Sequence, residues 1–190
     1  VIAHRGSSSY APENTFAAYD LALEMGVRHV ELDVELTSDN EVVVIHDDTL
    51  DRTTNGSGPV SGHTLEALRS LDAGSWFDEK FSGFRIPTFE EVLTRYKGRL
   101  HFHTEVKGRS PSLPERTADL IRNHGMEDEV TITSFQYRQL EAMRACAPEL
   151  PAGWLVREIN DETISKAKKI GLLQLCPEAK TVTPELVERL

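Results

Sequence analysis

One stretch of this chain alternates apolar and ionisable residues position by position. Residues 29–36 interleave four aliphatic side chains with His29, Glu31, Asp33 and Glu35. Because successive side chains of a β-strand point to opposite faces, this pattern predicts a strand with one apolar and one acidic face. Adjacent carboxylates repel, so a fold keeps them together only where water, a base or a cation neutralises them. Taken alone, the stretch also fits a solvated edge strand.

A second stretch, residues 100–107, repeats the pattern. It places four ionisable side chains on one predicted face: His101, His103, Glu105 and Lys107. Two further apolar runs, residues 1–3 and 42–45, end directly before His4 and His46. Parallel (β/α)8 barrels build their active sites at the C-terminal ends of the strands. Four predicted strands that end in polar residues therefore indicate such a barrel, and a solvated edge does not explain them.

The rest of the chain alternates predicted helices with predicted strands. A first helix follows Asn14 or Thr15 as N-cap, and later helices are expected at 88–97, 114–124, 137–146, 161–170 and from Pro184. Thr88 and Glu91 form a capping-box pattern at the second of these. Strands are expected at 130–135, 152–156 and 172–176. The total is seven strand candidates, so we expect a (β/α)8 TIM-type barrel lacking its last C-terminal strand or strands.

Size, charge and cysteine content narrow the class of protein. The chain has 190 residues, 39% of them hydrophobic, which suits one soluble globular domain. A net charge of −10 without a basic cluster argues against a nucleic-acid partner. Cys146 and Cys176 lack metal-ligand spacing, so we expect free thiols. We expect no membrane span, because no segment approaches about 20 apolar residues. The sequence indicates neither a compartment nor an oligomeric state.

Six short elements give the chain a resemblance to one family. They occur in the order and at the spacing found in glycerophosphodiester phosphodiesterases: His4-Arg5-Gly6, Pro12-Glu13-Asn14-Thr15, Glu31-Leu32-Asp33-Val34, the run from His46 to Thr54, Ile86-Pro87-Thr88 and Glu105-Val106-Lys107. The resemblance runs to at least Phe135 and implies a single phosphodiesterase barrel domain over residues 1–190. It also implies metal-dependent hydrolysis of small-molecule glycerophosphodiesters to glycerol 3-phosphate and an alcohol.

By the same resemblance, residues 48–85 form a small inserted module beside the active-site mouth. This segment breaks the strand–helix rhythm, and only a short helix near 65–71 is predicted in it. Its four aromatic residues either shape the substrate pocket or form the core of the module: Trp76, Phe77, Phe81 and Phe84.

The resemblance assigns metal binding to Glu31, Asp33 and Glu105. Three carboxylates suit a hard divalent cation, Ca²⁺ or Mg²⁺. The alternative is a set of ion pairs with Arg5 or Lys107. Glu35 is a weak candidate, which we expect beyond the end of its strand.

His4 and His46 match the catalytic positions of the family. Two imidazoles suit acid–base chemistry, because one accepts a proton while the other donates one. The remaining histidines are expected to be structural: His29, His63, His101, His103 and His124. Among them, His103 faces the same way as Glu105 and is the best candidate for a supporting role.

Arg5, Lys107 and Asn14 are the candidate substrate-binding residues. Arg5 and Lys107 would hold phosphate oxygens. Alternation places Arg5 opposite His4, so its role requires the strand to end at His4 and the chain to turn at Gly6. Asn14 would bind substrate or orient His46, although an N-cap role explains it equally well.

Two alternative functions remain at this stage. A related barrel phosphodiesterase, phospholipase D-like, would act on lysophospholipids or sphingomyelin and would need a wider apolar mouth. A non-catalytic metal-binding barrel fragment would bind the cation without turnover. The seven matched ionisable residues are intact, which argues against loss of activity by substitution.

Overall fold

The computed structural model describes residues 1–189 and contains one seven-stranded sheet. Its strands are β1 (Ile2–His4), β2 (His29–Leu36), β3 (Val42–Val44), β4 (His101–Val106), β5 (Val130–Ser134), β6 (Ala152–Val156) and β7 (Gln174–Pro177). Six of them run parallel in the order β1-β2-β4-β5-β6-β7. Within residues 1–189 the chain therefore forms a curled parallel sheet, an incomplete (β/α)8 barrel.

The prediction of a barrel strand at 42–46 is wrong in the direction and the length of the strand. β3 has three residues, pairs antiparallel with β2 and lies off the path of the parallel strands. The connection is a tight turn in which the Thr37 N–H donates to the Glu41 carbonyl at 3.0 Å. A parallel crossover needs about a dozen residues or more, so this turn permits only a hairpin.

The helices agree with the predicted ones within one or two residues at most ends. They are α1 (Phe16–Glu24), α2 (Leu65–Arg69), α3 (Phe89–Tyr96), α4 (Leu113–His124), α5 (Tyr137–Cys146), α6 (Asp161–Lys169) and α7 (Pro184–Arg189). The predicted capping box of α3 is present between Thr88 and Glu91. Thr15 caps α1 and accepts a hydrogen bond from the Ala18 N–H, so the N-cap is Thr15 and not Asn14.

The main hydrophobic core lies between the sheet and the helices outside it. The apolar faces of β2 and β4 contribute fully buried residues such as Leu32 and Phe102, and α1 and α3 contribute Tyr19 and Tyr96. The predicted alternation of β2 and β4 is thus confirmed. Because these apolar faces point outward to the helices, the ionisable faces point into the barrel interior.

Residues 48–85, which we call the insert, belong to a second hydrophobic cluster. Seven buried side chains form it: Val43, Ile45, Leu50, Val60, Leu68, Ala73 and Ile86. The four aromatic residues lie outside this cluster and contact one another edge to face in a row from Trp76 to Phe84. The buried core of the insert is therefore aliphatic, and Trp76 remains 39% exposed.

The two cysteines and the apolar content of the helices bear on two further expectations. Cys146 and Cys176 are free thiols, both half-buried. Among residues 1–189, no helix combines the length and apolar composition needed to cross a bilayer.

Candidate active site

Three carboxylates meet in the barrel interior. Glu31 and Asp33 come from β2 and Glu105 from β4, and the strand register places Asp33 directly beside Glu105. One oxygen from each carboxylate lies within 4.8 Å of the others. Asp33 is fully buried and Glu105 is buried, so water screens their repulsion weakly. The structure brings together the three predicted metal ligands.

Two cations face these carboxylates from opposite sides. Lys107 Nζ lies 3.0 Å from Glu105 Oε1 and 3.6 Å from Asp33 Oδ1. Arg5 Nε lies 3.5 Å from Asp33 Oδ2, and the Arg5 backbone N–H donates to Glu31 Oε2 at 2.9 Å. The ion pairs considered as an alternative are therefore present. With all five groups ionised, three carboxylates face two cationic side chains, and one negative charge is in excess.

Burial and mutual repulsion raise the pKa values of two of these carboxyl groups. Burial, followed by the charge of Asp33, raises the pKa of Glu31 to about 8. Burial also raises the pKa of Glu105, although Lys107 opposes it. Asp33 Oδ1 is buried and has no hydrogen-bond partner among residues 1–189. A buried carboxylate oxygen without a donor is expensive to keep, so this oxygen set fits a hard divalent cation.

The path of the backbone explains how Arg5 reaches the site. β1 ends at His4, and Arg5 and Gly6 both have left-handed backbones, with φ of 59° and 80°. A Cβ on Gly6 would lie 2.6 Å from the Ala18 Cβ and 2.8 Å from its carbonyl carbon. Only glycine fits both the φ value and the close approach. The predicted turn of Arg5 toward the barrel interior is confirmed.

Asn14 supports the most buried carboxylate. Its Nδ2 donates to Asp33 Oδ2 at 2.9 Å, and its Oδ1 accepts from the Tyr19 hydroxyl at 3.0 Å. Asn14 is 4% exposed and has a left-handed φ of 56°. Its side chain thus holds Asp33 rather than His46, and direct substrate binding by Asn14 stays a prediction.

His46 enters the site through the antiparallel return of β3. The Ile45 N–H donates to the Asp33 carbonyl at 3.0 Å, which places His46 at the level of Asp33. His46 Nδ1 lies 2.6 Å from Asp47 Oδ1. An ionised carboxylate only accepts hydrogen bonds, so Nδ1 carries a proton, and in the neutral form of the ring Nε2 then presents the lone pair.

A chain of alternating charges connects this histidine to Arg5. Arg52 Nε donates to Asp47 Oδ2 at 2.6 Å, and Arg52 Nη1 donates to Glu13 Oε2 at 2.9 Å. Glu13 Oε1 also accepts from Arg5 Nη1 at 2.9 Å. The Arg52 hydrogen bond, followed by that of His46, lowers the pKa of Asp47 to about 2. Burial opposes ionisation of Glu13, but Arg52 and Arg5 outweigh it and lower its pKa. Both carboxylates are therefore ionised at neutral pH.

His4 occupies a more open position than His46. Its side chain is 69% exposed, and its Nε2 lies 3.8 Å from Glu31 Oε2. Partial loss of hydration, followed by the Arg5 charge, lowers the pKa of His4 below its ordinary value. A neutral imidazole at this position can accept a proton near neutral pH. The two candidate catalytic histidines thus flank the carboxylates, one held by Asp47 and one open to solvent.

Glu35 differs from its expected position. It lies inside β2 rather than beyond its end and is 8% exposed, because the strand extends to Leu36. Burial, followed by the nearby charge of Asp48, raises the pKa of Glu35 to about 7. Together with His46, Lys107 and Arg109 it lines a cleft of about 640 Å³ beside the insert. The cleft is large enough for a small phosphodiester.

Among the other histidines, His103 lies beside Glu31 in the strand register, whereas His63 and His124 lie elsewhere. His63 Nδ1 lies 2.9 Å from the Pro59 carbonyl in the insert, and His124 Nδ1 lies 2.8 Å from the Leu120 carbonyl in α4. His103 makes no hydrogen bond to Glu105 and instead groups with His29 and His101.

Glu13, Asp47 and Arg52 are site residues to which the sequence analysis gave no role. Each stands inside one of the six family-like elements. Asp47 directly follows His46 in the sequence, and this adjacency could have identified it as a hydrogen-bond partner of the histidine. The contact of Arg52 with Glu13 joins positions 39 residues apart and has no local signature.

Comparison with known proteins adds a second line of information. Residues 4–190 match the glycerophosphoryl diester phosphodiesterase family. The Bacillus subtilis protein YhdW is 46% identical over 159 residues, which cover 83% of this chain and 65% of YhdW. A glycerophosphodiester phosphodiesterase of Caldanaerobacter subterraneus subsp. tengcongensis is 42% identical over 193 residues, covering 99% of this chain and 79% of that protein. The chain thus spans 65% of the length of YhdW.

Solved structures agree with this assignment of the fold. A glycerophosphodiester phosphodiesterase from Agrobacterium tumefaciens superimposes with a TM-score of 0.77 at 34% identity, over 92% of this chain and 85% of that one. A phosphodiesterase from Oleispira antarctica, in complex with the product sn-glycerol-3-phosphate, superimposes with a TM-score of 0.88 at 31% identity, over 99% and 78%.

Proposed function

This chain belongs to the glycerophosphoryl diester phosphodiesterase family, and from that premise we propose that it catalyses metal-dependent hydrolysis of glycerophosphodiesters to glycerol 3-phosphate and an alcohol. The observation that carries the proposal is the set of buried Asp33 and Glu105 with half-buried Glu31, facing Arg5 and Lys107. The product named for the Oleispira antarctica phosphodiesterase is the one that this reaction would release.

Glu31, Asp33 and Glu105 would hold the divalent cation, for which we propose Ca²⁺ or Mg²⁺. These ions prefer oxygen ligands, and Asp33 Oδ1 accepts no hydrogen bond within residues 1–189, with Lys107 Nζ 3.6 Å away. When bound, the cation supplies Lewis-acid polarisation of a phosphate oxygen.

The proposed role of Arg5 and Lys107 is to bind the phosphate. The Arg5 guanidinium donates a hydrogen bond to Glu13, so the position of Arg5 does not depend on substrate. Lys107 is 19% exposed, and its Nζ stands 5.8 Å from the centre of the Phe135 ring. Two fixed positive charges at the carboxylate cluster favour the negative charge that develops on the phosphoryl oxygens.

The proposed role of His46 and His4 is proton transfer. Asp47 fixes the Nδ1 proton of His46, so His46 Nε2 can take a proton from the attacking hydroxyl or return one to the leaving oxygen. His4 would perform the complementary transfer from the solvent-exposed side. Asp47, Arg52 and Glu13 would act as positioning residues, because their hydrogen bonds hold His46 and Arg5.

The test is release of glycerol 3-phosphate from glycerophosphocholine by the 190-residue chain, measured in Ca²⁺, in Mg²⁺ and in excess chelator. We expect release with at least one cation and none with chelator. Lysophosphatidylcholine is the comparison substrate and should be turned over more slowly. A folded chain that releases no product with either cation, or that prefers lysophosphatidylcholine, would contradict the proposal.

A further inference from the structure

Three histidines form a cluster on the ionisable face of the sheet, nearer the N-terminal ends of the strands, where His29 is exposed and His101 and His103 are half-buried. His29 is the first residue of β2, and its partner in strand register is His101, the first residue of β4. His103 follows two positions later on the same face of β4. One ring nitrogen from each residue lies within 4.8 Å of the other two. The ring centres stand 5.0, 5.4 and 5.8 Å apart.

This cluster adjoins the carboxylate site, since His103 is the register partner of Glu31, but its centre lies farther toward the N-terminal ends of the strands. The Asp33–Glu105 pair lies four positions along β2 and β4 from the His29–His101 pair. At a rise of about 3.3 Å per residue, the two pairs are roughly 13 Å apart. The two sites also differ in chemistry, since one offers only carboxylate oxygens and the other only imidazole nitrogens. A ligand can therefore distinguish them.

The hydrogen bonding of the cluster leaves ring nitrogens open. His101 Nε2 lies 3.0 Å from the Thr131 hydroxyl on β5. Within residues 1–189, neither His29 nor His103 has a hydrogen-bond partner, and no carboxylate forms an ion pair with any of the three rings. Three ring nitrogens, one from each residue, lie close enough together to ligate a single cation.

We propose that His29, His101 and His103 form a second metal site, for a transition-metal dication of the Zn²⁺ class. Imidazole nitrogen is a preferred ligand of Zn²⁺ and a poor ligand of Ca²⁺ and Mg²⁺. Three protein ligands leave room for a water as the fourth. The Thr131 hydroxyl supplies the outer hydrogen bond that a metal-bound imidazole keeps on its other nitrogen.

The position of the site indicates a structural rather than a catalytic role. A metal there would join β2 and β4, the two strands that carry all three carboxylates of the candidate active site. In (β/α)8 barrels the N-terminal end of the strands serves stability and the C-terminal end serves chemistry. Binding to the folded chain alone raises its stability by mass action. This inference does not depend on the phosphodiesterase activity proposed above.

The experiment is a Zn²⁺ titration of the tag-free, metal-stripped chain by calorimetry, with excess Ca²⁺ present to occupy the carboxylates. We expect one tight Zn²⁺ site per chain and a higher Tm with Zn²⁺. His101→Gln and His103→Gln should each weaken Zn²⁺ binding about 100-fold or more, because loss of even an outer-shell partner costs about 10- to 100-fold. His63→Gln, in the insert, and Glu105→Gln, at the carboxylates, should retain it.

A measurement on the unaltered chain covers the case in which a triad variant does not fold. NMR spectra of the ring nitrogens, recorded during the titration, follow each histidine. Zn²⁺ should shift the signals of His29, His101 and His103 and leave those of His63 and His124 in place. Zn²⁺ binding that His101→Gln leaves unchanged, binding lost in Glu105→Gln, or ring shifts confined to other histidines would each overturn the proposal. So would the absence of Zn²⁺ binding.

Discussion

The Asn14 amide donates a 2.9 Å hydrogen bond to Asp33, the most deeply buried carboxylate of the candidate site. It thereby ties the loop after β1 to the strand that carries two of the proposed metal ligands. Asn14 also adopts a left-handed backbone, a conformation that asparagine tolerates better than most residues. One side chain thus serves both the loop and the carboxylate.

Replacing Asn14 separates these two roles. Asn14→Gly keeps the left-handed backbone but removes the amide, and we expect Ca²⁺ affinity to fall by about 10-fold or more, as for other outer-shell partners of metal ligands. Asn14→Ala should show the same loss of affinity. Its free energy of unfolding should also be about 1 kcal/mol lower than that of Asn14→Gly, because alanine is strained in the left-handed conformation and glycine is not. Calorimetry and urea unfolding measure the two effects. Unchanged Ca²⁺ affinity in Asn14→Gly would refute the supporting role.

Asp47 provides a test of proton transfer by His46. Asp47→Asn conserves the shape of the side chain but removes the charge that fixes the Nδ1 proton, so kcat should fall by about 100-fold or more. Ca²⁺ affinity should stay unchanged, since Asp47 does not contact the carboxylates. The matched control is Asp51→Asn, which removes the same charge from the same segment, where Asp51 accepts a hydrogen bond from the Gly58 N–H. Equal kcat values for the two variants would exclude Asp47 from positioning His46.

The same carboxylate predicts a change of stability with pH. The folded pKa of Asp47 is about 2 and lies below the ordinary value of 3.8. An acid whose pKa is lower in the folded than in the unfolded state stabilises the fold at pH values above its unfolded pKa. This contribution is lost as the pH falls through the folded pKa. The unaltered chain should therefore exceed Asp47→Asn in free energy of unfolding by about 1 kcal/mol at pH 5, after allowance for solvent screening. The difference should shrink toward pH 2. Urea unfolding between pH 5 and 2 measures it, and a constant gap would contradict the assignment.

Gly6 and Gly26 form a matched pair for the turn that places Arg5. Both have φ of 80°, but a Cβ on Gly26 would meet no atom within 4 Å, whereas one on Gly6 would collide with Ala18. Gly26→Ala should therefore cost only the backbone strain, about 1 kcal/mol. Gly6→Ala should cost about 3 kcal/mol or more and displace Arg5, so it should also lower kcat/KM. Denaturant unfolding of both variants provides the comparison. Equal losses would show that the contact with Ala18 is unimportant.

Much of the barrel could be predicted because its signals are local. The alternation in β2 and β4 depends on neighbouring residues, and it identified the interior faces that bring Glu31 and Asp33 to Glu105. The capping box at Thr88 is equally local. The strand at 42–46 was misassigned because its composition is that of a buried strand, and only the five-residue turn before it revealed its direction.

Contacts between distant positions could not be predicted from the sequence. Glu13 and Arg52 meet across 39 residues, and neither has a pattern that identifies a partner. The position of Glu35 depended on how far β2 continues, which is set by its pairing with β3. The grouping of His29 with His101 and His103 could not be predicted, because a single histidine on a strand gives no sign of the two rings that β4 brings beside it.

The two hydrophobic clusters have a consequence for divergence within such barrels. The strands that carry the carboxylates are packed by one cluster, and the wall of the cleft formed by the insert is packed by the other. Mutations that reshape the wall therefore repack a small aliphatic core and leave the carboxylate geometry alone. If the proposed function holds, the shape of the substrate pocket can change without moving the carboxylates, and the division between the two cores runs through β3, where Val43 packs in one and Val44 in the other.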